Sequence, residues 1–126
     1  MALPPQHRLR GQRAFDRLYR QGRRFQGELI VLRLLPALPA LLPCSDRGRP
    51  QGAWRCAVVV SSKVSKRAVR RNRLRRLLHG HLLAAAPASV TPQWLLLSLK
   101  PEAALACEQR LLEECDEILR KAGLLR

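Results

Sequence analysis

Acidic residues are scarce. Nine Asp and Glu stand against 24 Lys and Arg in 126 residues, a formal charge of +15. A domain that repels itself this strongly is tolerated most easily beside a polyanion, and an enzyme with one basic pocket for an anionic substrate needs far less. The basic part also lacks clustered carboxylates: Asp16, Glu28 and Asp46 are far apart in sequence, whereas a two-metal nuclease centre gathers them. The four cysteines, Cys44, Cys56, Cys107 and Cys115, follow neither zinc-knuckle nor thioredoxin spacing, and read as reduced thiols of a cytosolic protein. His7, His79 and His81 form no metal or acid–base pattern. The longest apolar run, Leu29 to Leu42, is broken by Arg33, Pro36 and Pro39, too short and too interrupted to cross a membrane. Met1 to Arg24 is Arg-rich and acid-poor, as organellar transit peptides are, but has no clear cleavage signal and useful basic and aromatic residues, so it is read as part of the domain.

What remains is a chain of one-domain size whose 47% hydrophobic content suffices for a packed core. Its charge is unevenly spread. Residues 1–76 hold 19 Lys and Arg against three acids, whereas residues 77–126 hold five against six. The surface for a polyanion therefore belongs to the first three-fifths of the chain, and the rest reads as neutral scaffold. No internal repeat is visible.

Phe15, Leu18 and Tyr19 fall at i, i+3 and i+4 between Gly11 and Gly22, which predicts a short helix over Gln12 to Gln21. Leu29 to Leu35 predicts a strand ended by Pro36, and residues 36–53, with four prolines and two glycines, a long loop. Trp54 to Val60 predicts a second strand, apolar enough at its end to be central. Ser61 to Ser65 reads as a turn into a helix from about Lys66 to Leu83, followed by a small-residue loop from Ala84 to Pro92 and a third strand over Gln93 to Leu99. Pro101 and Glu102 suit the first turn of a final helix, with Leu111, Leu112, Cys115, Ile118, Leu119 and Ala122 as its core stripe and Gly123 as its end. This order predicts a small α+β or α/β layer domain.

The densest feature is Lys63 to Arg76, with eight bases and no acid in fourteen residues. Ordinary exposed helix faces mix signs, because like charges at i,i+4 cost a few tenths of a kcal/mol each. A run without a compensating acid needs an external anion, and phosphate is the fit. In its setting, Val60-Ser-Ser-Lys-Val-Ser-Lys-Arg-Ala-Val-Arg-Arg-Asn-Arg-Leu-Arg-Arg-Leu-Leu78 closely resembles the signature of the bacterial ribonuclease P protein subunit, as do Arg8-Leu9, Phe15, Tyr19 and Gly22 in their spacing. With matching element order, the resemblance covers essentially the whole chain.

That resemblance implies an α/β (α+β) two-layer sandwich: one domain over residues 1–126, a four-stranded sheet, about three helices and a left-handed βαβ crossover. It also implies a role beside a catalytic RNA that removes the 5′ leader of precursor tRNA. Mg²⁺ is then expected for the RNA-catalysed reaction and none is assigned to the protein; the setting is cytoplasmic, with neither DNA nor membrane as partner. The helix over 63–83 is expected to meet the catalytic RNA through Lys63, Lys66, Arg67, Arg71, Asn72, Arg73, Arg75 and Arg76. A cleft between the first helix and the sheet is expected to hold the leader through Phe15, Tyr19, Arg33 and Arg8. Ser62 stands where the family usually has a lysine, and the long 36–53 loop has no implied role. The alternative is an RNA-binding module without leader specificity, such as a ribosomal protein or RNA chaperone; a self-sufficient metal nuclease is the weakest reading, so the protein alone is expected to cleave nothing.

Overall fold

The computed structural model describes residues 3–43, 54–85, 87 and 91–125. Among these residues three α-helices, α1 (Gln12–Gln21), α2 (Ala68–Ala85) and α3 (Glu108–Lys121), pack on a sheet of β1 (Arg23–Gln26), β2 (Ile30–Pro36), β3 (Trp54–Val59) and β4 (Gln93–Leu99). The strand order is β1-β2-β4-β3. The pairs β1–β2 and β2–β4 are antiparallel, and β3 lies parallel to β4, joined to it through α2 as a βαβ unit.

Alternation along the strands sorts the core into two clusters. Ile30, Leu32 and Leu34 of β2, Cys56 and Val58 of β3, and Leu95, Leu97 and Leu99 of β4 face α2 and α3. Leu74, Leu78 and Leu82, one helical turn apart, anchor α2 on that face, and Leu111, Cys115, Ile118 and Leu119 anchor α3. Trp94 and Leu96 face the other way and meet Ala14 and Leu18 of α1 together with Leu9 and Leu42. Helices thus lie on both faces, with α1 adding a partial third layer.

Three local expectations change. First, β3 is an edge strand of the sheet, not a central one. Its apolar run is explained by burial on both faces and by the N-terminal segment, whose Arg8 bridges Cys56 in parallel while Leu9 N donates to Cys56 O at 3.1 Å. Second, β1 is an extra strand. Arg23-Arg24-Phe25-Gln26 has one apolar residue, Phe25, which packs on the first cluster; charge suits an exposed edge and hides the strand from a hydrophobicity reading. Third, the final helix does not start at Pro101. Pro101–Leu105 is a 3-10 turn, Ala106 and Cys107 are extended, and Cys107 Sγ caps α3 by accepting from Arg110 N at 3.4 Å. Gly123, at φ +80°, ends α3. In the proline-rich 36–53 segment Pro39–Leu41 forms a 3-10 turn; residues 44–53, with Cys44 and Asp46, fall outside the described part.

One buried carboxylate fastens the β1–β2 hairpin to α3. Glu114 is 3% exposed and accepts from the backbone N–H groups of Glu28 (3.0 Å) and Leu29 (2.7 Å). Arg110 lies 3.7 Å from it and 3.5 Å from Glu28.

Candidate nucleic-acid interface

The basic helix begins on a turn built to hold it. Val64 is buried and its N–H donates to Ser61 O at 3.0 Å. Ser65 Oγ accepts from Arg67 N at 3.2 Å, and Ser65 O accepts from Arg71 Nη1 at 2.9 Å. These bonds start α2 at Ala68, two residues after the expected start. With Leu74, Leu78 and Leu82 turned inward, a 100° step per residue places Asn72, Arg73 and Arg76 on the outer half of the helix and Arg75 on a flank. Lys63, Lys66, Arg67, Asn72, Arg73 and Arg76 are exposed; Arg71 and Arg75 are half-buried.

The absence of a compensating acid holds within the helix but not around it. Arg73 Nε meets Glu108 Oε1 at 2.8 Å, a bond from the first turn of α3 that raises the Arg73 pKa above its ordinary value. Arg70, which the sequence reading passed over, donates to Ala104 O at 3.1 Å. Arg75 Nη1 donates to Asn72 Oδ1, which fixes the amide's orientation and leaves its NH₂ outward as a donor.

The opposite face of the sheet carries a second group. Arg33 of β2 lies with its guanidinium carbon 4.7 Å from the centroid of the Tyr19 ring. Tyr19 is 51% exposed, so much of its ring stays open to solvent beside the Arg33 cation. Phe15, one turn earlier, is half-buried against the second cluster. Gly22 makes this closeness possible: a Cβ there would stand 2.5 Å from Leu18 O and 3.3 Å from Arg33 Cβ. Arg24 pairs with Arg33 across β1 and β2 and so shares its face, an addition that was invisible without β1.

Arg8 does not join Phe15, Tyr19 and Arg33. Its Nη2 donates to Leu3 O at 3.1 Å, and Leu3 belongs to the cluster under α2 and α3. The N-terminal segment that carries it is well fastened. His7 stacks on Trp54 with centroids 4.1 Å apart and its Nδ1 donates to Trp54 O at 2.9 Å. Arg55, 1% exposed, donates through Nη1 to Pro5 O (3.1 Å) and Arg8 O (2.7 Å). One of the positive charges counted toward the polyanion surface is therefore internal.

Among the described residues no group of three or more His, Cys, Asp or Glu is placed to hold a metal ion. No helix among them is long and apolar enough to cross a membrane. His81 Nε2 and Asp116 Oδ1 meet at 2.7 Å and tie α2 to α3. Cys56 and Cys115 are buried; burial, with the neighbouring Cys115 second, pushes the Cys56 thiol up, and burial pushes Cys115 up to about 12. Neither is a nucleophile at neutral pH.

The family model described as Ribonuclease P matches residues 3–123. The chain is 55% identical over 126 residues to a ribonuclease P protein component of Parasynechococcus marenigrum, covering 98% of each. It is 54% identical to one from Prochlorococcus marinus, covering 99% of each. In fold it resembles the RNase P protein of Staphylococcus aureus, with a TM-score of 0.76 at 15% identity over 95% of this chain and 98% of that one. The RNase P protein of Thermotoga maritima gives a TM-score of 0.70 at 19% identity, covering 90% and 96%.

Proposed function

The chain belongs to the bacterial ribonuclease P protein family, and from that premise we propose that it assists a catalytic RNA in removing the 5′ leader of precursor tRNA. One observation carries the division of labour: the basic helix α2 and the Tyr19–Arg33 pair lie on opposite faces of one sheet. Two RNAs that repel each other can then be held on one small protein without competing for the same arginines.

In this reading Lys63, Lys66, Arg67, Arg71, Arg73, Arg75 and Arg76 neutralise phosphates of the catalytic RNA, and Asn72 supplies a neutral donor among them. Tyr19 and Arg33, with Phe15 beneath, take the leader. Stacking on a ring and contact with a phosphate are indifferent to sequence, as leaders of many sequences require. A binding module without leader specificity has no use for this pair.

The protein's own part is positioning. Mg²⁺ supplies Lewis-acid and charge-neutralising chemistry in reactions of this class, and the described residues offer no gathered donor set for it: Glu114, buried among them, is spent on two backbone N–H groups. In this reading the cleaving centre belongs to the RNA. Reconstitution with a bacterial ribonuclease P RNA tests this. The protein alone is expected to leave precursor tRNA intact, and the assembled complex to release the leader at a lower Mg²⁺ concentration than the RNA alone. Cleavage by the protein alone contradicts the proposal.

A further inference from the structure

Beside the outer edge of β3 lies a hollow of about 390 Å³ lined by Leu3, Arg8, Leu9, Arg10, Cys56, Ala57, Val58 and His79. Its floor is apolar and its rim cationic, and no carboxylate is among its described lining residues. It opens at the β3 edge between the N-terminal segment and α2: Leu3, Cys56, Val58 and His79, one turn beyond Arg75, line it from the α2 side, and Leu9 and Ala57 from the other.

We propose that this hollow takes one unstacked nucleotide of the catalytic RNA, its phosphate on Arg8 and Arg10 and its base against the apolar floor beside the His79 ring. The inference rests on the reading that α2 faces that RNA, and extends the contact surface from the helix to the N-terminal segment. Three observations carry it. The volume falls in the range of small-ligand sites. An apolar floor with a positive rim matches a base joined to a phosphate. Arg55 and the His7–Trp54 stack hold the segment in place beforehand, so little ordering is left to binding. His79 is held below the usual imidazole range by burial first, and then by positive charges that include Arg75 and Arg8, a sign that the hollow's potential is positive and suited to an anion.

The test uses the full chain with a bacterial ribonuclease P RNA. Arg8→Ala and, separately, Arg10→Ala are each expected to weaken assembly about tenfold at moderate salt and to reduce the slope of log K against log salt by about 1. The preference of the assembled complex for precursor over mature tRNA is expected to stay within about twofold, well under one decade of affinity. Thermal melting of both variants checks that the segment stays folded; Arg10→Ala, which removes a lining side chain and no bond to Leu3, keeps the test open should Arg8→Ala unfold it. Titration of the protein with 5′-AMP, followed by the assigned His79 ring signals, is expected to raise the His79 midpoint, because the phosphate offsets the Arg8 and Arg75 charges. Unchanged assembly in both variants overturns the proposal, as does a lost precursor preference with assembly intact, which would place the hollow on the leader. Tyr19→Ala separates the two readings: if it spares the precursor preference, the leader cleft fails while the hollow stands or falls on Arg8 and Arg10.

Discussion

Tyr19 and Arg33 are useful together because neither is buried by the other: the ring keeps half its surface open under the guanidinium. Stacking one base is worth about 1–3 kcal/mol, so Tyr19→Ala is expected to weaken precursor tRNA binding by roughly 5- to 150-fold and to leave assembly with the RNA intact, by equilibrium binding of each. Glu114 acts at the same scale for stability. Glu114→Ala leaves the N–H groups of Glu28 and Leu29 without their acceptor, and an orphaned buried donor costs about 1–3 kcal/mol. A loss of about 2–4 kcal/mol in urea unfolding is therefore expected. His79 gives a pH signature. Its folded pKa lies below the unfolded value of 6.5, so the unfolded chain binds more protons between the two. Its contribution to stability is complete above the unfolded pKa and is lost as pH falls through that window. Replacing it by Gln is expected to flatten the acid-side decline in Tm of the RNA-free protein. Glu114 and Arg55 could not be read from the sequence as buried groups, because a lone Glu or Arg in an amphipathic stretch looks solvated until its backbone partners, which lie 85 and 47 residues away, are known.

Helix α2 was legible because its charge run, its leucines at i, i+4 and i+8, and its flanking strands agree. What the sequence hid was cross-element chemistry. Glu108 sits in a segment that reads as neutral scaffold, yet it meets Arg73. Glu108→Gln is expected to release that arginine and tighten RNA assembly by a few-fold at low salt, roughly what one additional phosphate contact contributes, with the gain shrinking as salt rises. Strand β1 was missed for a different reason: an edge strand with Arg23 and Arg24 exposed carries no hydrophobic alternation, so only its pairing with β2 reveals it. The 3-10 turn before α3 was missed because Pro101 and Glu102 suit either helix type, and the break comes four residues after Glu102, at the extended Ala106 and Cys107.

At the scale of the molecule, the shortage of acids has become a map. Among the described residues the positive charge of residues 1–76 falls mainly on α2 with its preceding turn, on α1 with Arg24 and Arg33 on the other face of the sheet, and on Arg8 and Arg10 at the β3 edge, less the buried Arg55. If six to eight phosphates are neutralised on assembly, log K is expected to fall against log salt with a slope of roughly −4 to −7. The measurement that bears most directly on two RNA surfaces back to back is the ratio of affinities for precursor and mature tRNA in the reconstituted complex. It is taken for the RNA alone, for the wild-type complex, and for a complex carrying Tyr19→Ala with Arg33→Ala. The ratio is expected to rise with the wild-type protein and to return toward the RNA-alone value with the double variant, at undiminished assembly. A ratio that the wild-type protein leaves unchanged would contradict a leader surface on this chain.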